Sequence, residues 1–411
     1  MLIPRNIIKE VTEALRDTPV VMIVGARQTG KSTLVETLLK KFHPAQYYTM
    51  DDPTLLAAAS ASPLSFLESL PDRAILDEVQ RVPEVFLALK KIVDQNRTPG
   101  RFVLTGSANV LTLPKVSESL TGRMEIQTLW PLSQGEIQKR KEKFVDTVFA
   151  KRLPKTVKTI KRNEIINRMV AGGYPEVMGR KLKKRRDTWF KSYLTSILQR
   201  DVRDLANIEG LKELPHLLAL LASRTGGLLN HSDLSRTSGI PQTTLKRYFT
   251  LLEMVYLTVS LPAWFSNLGK RLVKSPKVFL NDTGLLCNLN GIDSQKLHRA
   301  PNMIGPVLEN FVVMELIKQN SWSQQQAKLY HFRTSNGEEV DIVLEAPDGR
   351  LVGVEVKAAS SISFDSFKGL KALQNLVGDK FHRGIVLYTG QELISFGKNL
   401  HAVPVSALWE F

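Results

Sequence analysis

The sequence predicts an α/β protein with two separate sheets, the first of them parallel, joined by a helical middle. Three patterns predict it. An apolar run, Val20 to Val24, feeds a glycine-rich loop that opens a helix. Between Leu214 and Trp264 the pattern reads helix, turn, helix, then a β-rich stretch. After an apolar helix around Val307 to Leu316, two short strands flank the turn Pro347-Asp348-Gly349. At 411 residues the chain is too long for one ordinary domain, and we divide it at 1–135, 136–210, 211–265 and 266–411.

Residues 25–32 read Gly-Ala-Arg-Gln-Thr-Gly-Lys-Ser, a complete G-x-x-x-x-G-K-[ST] phosphate loop. A buried strand before it and a helix after it, Leu34 to Lys40, are the context this motif requires. The backbone N–H groups of Gly25, Ala26, Arg27, Gln28, Thr29, Gly30, Lys31, Ser32 and Thr33 can then cradle phosphate oxygens at the start of a helix. Lys31 would reach the β and γ phosphates of ATP, and Ser32 would hold Mg2+.

Forty-six residues beyond Lys31, the strand Arg73 to Leu76 ends in Asp77 and Glu78. Asp77 fits the residue that binds the magnesium shell, and Glu78 the base that orients water for attack on the γ phosphate. The strand Arg101 to Leu104 ends in Thr105-Gly106-Ser107. Ser107 or Thr105 would sense the γ phosphate; ordinary turn chemistry is the alternative. Gln46 to Met50 reads as a further strand, and Asp51-Asp52-Pro53 after it as the cap of the next helix. Arg123, in Ser119-Leu120-Thr121-Gly122-Arg123, is read as an arginine finger supplied to a neighbouring subunit, with a surface arginine as the alternative. Strand and helix alternate to about residue 135, so the nucleotide should lie at the carboxyl ends of parallel strands.

With these motifs in hand, the chain resembles an AAA+-type ATPase family of bacteria and archaea. The likeness rests on Gly25 to Thr33, Leu76 to Gln80, Leu104 to Ser107, Leu120 to Arg123 and Leu129 to Ser133, with Gly172 to Glu176 and Arg200 to Val202 as later landmarks. It implies a P-loop module followed by a C-terminal domain of unknown function.

The net charge of +16 is unevenly placed: Lys139 to Arg186 holds 17 basic residues against four acids. A solvated linker explains such a run, and so does contact with a phosphate backbone; the second reading puts Lys183, Lys184, Arg185 and Arg186 on DNA. Sparse aromatics argue for backbone contact without base reading. From Ile165 to about Leu205 the pattern is helical, with Trp189, Phe190, Tyr193 and Ile197 on one face. We read it as a lid on the ATPase core whose aromatic stripe is packing. Arg200, Asp201 and Arg203 would report nucleotide state to it or form a salt-bridged surface.

Residues 214–264 describe a winged helix-turn-helix. Its second helix would place Gln242, Thr243, Lys246 and Arg247 against DNA, although the same unit also serves as a protein-docking module.

In the last region Glu309 lies on an apolar helix, Asp341 opens one strand, and Glu355 and Lys357 are two apart on the next, hence on one face. Two carboxylates converging from adjacent strands make an oxygen site for magnesium, and a nearby lysine can activate water for phosphodiester cleavage. The order resembles the PD-(D/E)xK restriction-endonuclease-like fold, with Glu309, Asp341, Glu355, Lys357 and Gln374 at matching positions. Val340 stands where the name-giving proline would be. Such folds either cut or serve as binding domains, and both readings stay open.

One cysteine, Cys287, excludes an intramolecular disulfide, and no segment has the apolar length to span a bilayer. The expectation is a cytoplasmic homo-oligomer, a ring being one arrangement, that couples ATP hydrolysis to DNA. The alternative is an ATP-controlled signalling or defence switch whose C-terminal domains bind protein and are inert. Small-molecule kinase chemistry explains nothing after residue 135.

Overall fold

The computed structural model describes residues 2–107, 121–202, 213–266 and 274–411. It divides into two compact units, Met1–Leu132 with Met254–Tyr256, and Ser133–Glu253 with Leu257–Phe411.

In the first unit β1 (Val20–Val24), β2 (Gln46–Thr49), β3 (Ala74–Asp77), β4 (Phe102–Gly106) and β5 (Met124–Thr128) form a parallel sheet in the order β2-β3-β4-β1-β5. β1, β3 and β4 are buried at every residue, which is why they read as continuous apolar runs. β5 is the strand that sequence pattern alone does not reveal. It lies at the sheet edge, part-exposed throughout, and its Met-Glu-Ile-Gln-Thr alternation contains no apolar run. Asp52 caps helix Pro53–Ala61, accepting from the N–H groups of Thr54 and Leu55 at 2.8 and 3.1 Å. Helix Val85–Gln95 buries Val85, Phe86, Leu89, Ile92 and Val93 in the core beside β3 and β4. Register then positions the chemistry. Val24 pairs with Gly106, and Leu76 with Leu104, so the turns after β1, β3 and β4 open at one edge of the sheet.

The second unit contains a six-stranded mixed sheet: β8 (Lys328–Arg333), β9 (Glu339–Glu345), β10 (Leu351–Lys357), β11 (Phe381–Tyr388), β12 (Ile394–Ser395) and β13 (Leu400–Pro404), in the order β12-β13-β11-β10-β9-β8. β10, β11 and β13 run parallel, and β8 and β9 form an antiparallel arm. Helix Lys368–Val377 connects β10 to β11 and seats Leu370 and Leu373 on the sheet.

The helices expected as a lid belong to this second unit. Phe144–Phe149 packs on helix Ile304–Asn320 and on β11, burying Phe144, Val145, Val148 and Phe149. Helix Arg162–Ala171 ends at Gly172, and Lys183–Ser196 continues as a π-turn to Asp201. The Trp189, Phe190 and Tyr193 stripe packs around Tyr174, whose hydroxyl meets that of Tyr193 at 2.7 Å and accepts from Asn281 at 2.8 Å. Arg203 lies outside the described residues, as do Ser119 and Leu120.

Helices Leu214–Ser223, His231–Ser238 and Gln242–Met254 are followed by β6 (Thr258–Leu261), which pairs antiparallel with β7 (Lys277–Leu280). Gly239 ends the middle helix at φ 73°, a left-handed position suited to glycine.

Candidate functional site

The first site forms where β1, β3 and β4 end. Gly25 (φ 144°) and Gly30 (φ 94°) bracket the loop, and an added Cβ at Gly25 would lie 2.3 Å from the Leu129 carbonyl oxygen. Only glycine lets the loop turn there against the end of β5. Thr29 is buried and donates to the Ala26 carbonyl at 3.0 Å, while Arg5 donates to the Thr29 carbonyl at 2.8 Å and to that of Trp130 at 2.6 Å. Lys31 is buried, its Nζ 2.9 Å from the carbonyl oxygens of both Gly25 and Ala26. The ammonium is therefore held on the loop whose anion it would neutralise. Helix begins at Lys31, runs through Thr33, widens to a π-turn over Leu34–Leu38 and closes as a 3-10 turn at Leu39–Lys41.

Asp77, 3% exposed, ends β3 with both carboxylate oxygens engaged. Thr105 donates to Oδ1 and Tyr47 to Oδ2. Burial and the neighbouring Asp77 raise the Tyr47 hydroxyl well above its ordinary range, so it remains a donor. Glu78 takes the left-handed conformation at φ 59°, sparsely populated by residues with a side chain, and its N–H donates to Thr105 Oγ1 at 3.2 Å. Gln80 Nε2 donates both to Glu78 and, at 3.0 Å, to Ser107 Oγ. Thr105 thus ties the Asp77 strand to Glu78, and Ser107 reaches Glu78 only through Gln80. Tyr47, Gln80 and Arg5 are site residues that sequence reasoning missed. A glutamine two residues after the paired acids is the one signal that could have found any of them.

A charge-assisted hydrogen bond contributes about 1.5–3 kcal/mol, so Gln80→Ala should slow ATP turnover by roughly 10- to 100-fold with nucleotide affinity unchanged. Steady-state phosphate release and equilibrium nucleotide binding check both halves.

Arg123 is not in this group. It precedes β5, where its carbonyl accepts from Val20 N–H at the amino end of β1, and its guanidinium pairs with Asp94 at 2.6 and 3.0 Å. Arg123 holds the Asp94 carboxyl below its ordinary range.

In the second unit Glu309, Asp341, Glu355 and Lys357 are drawn together from helix Ile304–Asn320, β9 and β10. Asp341 Oδ2 accepts from Val356 N–H at 2.9 Å, and Lys357 Nζ meets Glu355 Oε1 at 2.7 Å. Sequence reasoning missed Lys277, whose Nζ lies 2.7 Å from Glu309 Oε1 and 3.1 Å from Asp341 Oδ1. Burial, then the charge of Asp341, push Glu309 and Glu355 well above the ordinary carboxylate range. Burial opposes the charge of Lys277 as well, but Asp341 and Glu309 outweigh it and the lysine stays protonated. Among the described residues no three His, Cys, Asp or Glu side chains group so as to hold a metal ion. Gln374 is half-buried on helix Lys368–Val377.

The residues assigned to DNA lie on two helices of this unit. Gln242, Thr243, Lys246 and Arg247 are exposed on one face of Gln242–Met254, opposite the buried Leu245, Tyr248, Phe249 and Leu252. Lys183, Lys184 and Arg185 are exposed and Arg186 half-buried in the first turn of Lys183–Ser196, where no acid stands; Lys183 pairs with Asp293 at 3.2 Å. Among the described residues no helix is long and apolar enough to cross a membrane.

Residues 17–138 match the family described as "AAA domain". Residues 162–296 and 304–408 match two families described as domains of unknown function, DUF8612 and DUF4143. Over 405 residues, 98% of this chain and 84% of the relative, the chain is 30% identical to "Uncharacterized protein Rv2008c" of Mycobacterium tuberculosis, and equally to "Uncharacterized protein Mb2031c" of Mycobacterium bovis. Among solved structures, the RuvB Holliday junction branch migration motor of Thermotoga maritima is 15% identical, with 63% of this chain and 90% of that one covered, at a TM-score of 0.30. The chain therefore belongs to the family of these two mycobacterial proteins and carries a P-loop ATPase module of the AAA type at residues 17–138.

Proposed function

We propose that the protein hydrolyses ATP in its first unit and uses the hydrolysis to act on DNA through its second. The observation that carries the ATPase reading is the convergence, at one edge of a parallel sheet, of the phosphate loop, Asp77, Glu78 and Ser107. The geometry supports the following roles. Backbone N–H groups from Gly25 to Thr33 hold the phosphates, and Lys31 offsets their charge. Ser32 and Asp77 would hold Mg2+, which neutralises charge developing on the transferred phosphoryl group. Glu78, which accepts from Gln80, would take the proton of the attacking water, and Arg123 would serve the site of a neighbouring copy in a homo-oligomer.

Support for the DNA reading comes from Lys183 to Arg186. Four cations at the amino end of a helix are opposed by its dipole, so helix stability does not account for them, whereas a phosphate backbone would. A winged helix presenting Gln242, Thr243, Lys246 and Arg247 would add a second point of attachment. Replacing Lys183, Lys184, Arg185 and Arg186 with Ala should lower duplex affinity and flatten its dependence on salt, by a slope of up to about 0.9 for each phosphate that the helix no longer neutralises. Fluorescence anisotropy across a salt series checks this; unchanged affinity and slope would remove the basic helix from the interface.

The second reading, an ATP-controlled switch whose C-terminal unit is catalytically inert, is favoured by one observation: Lys277 among the carboxylates of the nuclease-like site.

A further inference from the structure

Glu309, Asp341 and Glu355 stand on the helix and strands expected of a nuclease-like arrangement, yet they do not group as a metal-holding set, and an ammonium lies between two of them. Lys277 comes from β7, a strand outside the six-stranded sheet, and is 6% exposed. Its ammonium bridges Glu309 Oε1 and Asp341 Oδ1, while the other oxygen of Asp341 is taken by the Val356 N–H. Gly226 closes the cluster on another side, because an added Cβ there would lie 2.9 Å from Glu309 Oε2. Glu355 differs: Oε1 meets Lys357, but Oε2 is buried without a hydrogen-bond partner in a residue only 7% exposed. The cluster therefore holds a buried, unpartnered oxygen on Glu355, and the positive charge facing Glu309 and Asp341 is already supplied by Lys277.

A magnesium or manganese ion entering here would have to displace a buried ammonium from two carboxylates or sit beside it, and two cations sharing Asp341 repel in a medium of low dielectric. The residues as they stand do not fit a divalent ion.

We propose that Lys277 is the resident cation of this cluster, standing where a divalent ion would stand in a hydrolytic site, so that the C-terminal unit takes up a divalent ion only when the charge of Lys277 is removed. The nuclease-like framework is then a binding domain with its metal site filled by the chain itself. The inference rests on the geometry of the second unit alone and holds whether or not ATP turnover depends on DNA.

Mn2+ uptake by the full chain without nucleotide, followed by the loss of the free-ion paramagnetic signal, tests it. Wild type and Lys277→Arg should bind no Mn2+ at concentrations that load Lys277→Met with one ion per chain, and Lys277→Met with Glu355→Gln should lose that ion. Lys277→Gln provides a second route should the methionine variant fail to fold, with thermal melting as the control. Two results overturn the proposal. One is Mn2+ uptake by the wild type that Asp341→Asn abolishes; the other is folded Lys277→Met or Lys277→Gln protein that takes up none.

Discussion

An Arg123→Ala protein is expected to bind ATP as tightly as the wild type and turn it over roughly 10³-fold more slowly, the lower end of what an arginine finger supplies. Mixed with Lys31→Ala, which carries a sound Arg123 but a crippled loop, it is expected to recover part of its turnover. Placement is the reason. Arg123 sits level with the amino end of β1, and the phosphate loop follows the carboxyl end, five residues away at about 3.3 Å each. Within one subunit the guanidinium is at the wrong edge of the sheet to touch the γ phosphate. Its bond to Asp94 does not hold it back: the pair lies at the surface, with side chains 20% and 37% exposed, where solvent screens the attraction. Turnover unaffected by Arg123→Ala would end the assignment. Loss without recovery in the mixture would make Arg123 a structural residue of its own subunit.

Lys31→Ala is expected to remove ATP turnover, by about 100-fold at least, because on the proposed reading it deletes the ammonium that would offset the charge of the transferred phosphoryl group. Since Nζ also bonds the Gly25 and Ala26 carbonyls, the loop itself could be disturbed. Thermal melting separates the two effects. An unchanged melting temperature with turnover lost assigns the effect to the charge, and full turnover would refute the nucleotide site.

What was legible in the sequence follows from how the information is carried. The phosphate loop, Asp77 and Glu78 were readable because local order is their signature: a buried strand, then a turn, within a few residues. The first sheet was readable for the same reason, except for β5, whose edge position lets polar residues alternate with apolar ones. The residues that complete each site were not readable. Tyr47 is 30 residues from Asp77, and Lys277 is 32 from Glu309 and 64 from Asp341. A lysine at the start of a short strand looks like any solvated charge until the fold buries it against carboxylates. Gln80 is the intermediate case, adjacent to the motif but given a role only by Ser107 arriving from β4.

The helices between Phe144 and Ser196 show the complementary limit. Their apolar faces announce packing, but which surface they pack on is a tertiary matter, and their packing groups them with the second unit. The division into four regions made from the sequence is thus drawn on composition, whereas the two units are drawn on packing in three dimensions.

ATP turnover by the wild-type protein, measured alone and with duplex, single-stranded and branched DNA, and repeated with Lys31→Ala, tests the central claim most directly. We expect basal turnover that rises on adding DNA, falls back as salt is raised, and is absent throughout in Lys31→Ala. Turnover indifferent to every DNA, together with no salt-sensitive binding, would contradict the coupling of ATP hydrolysis to DNA.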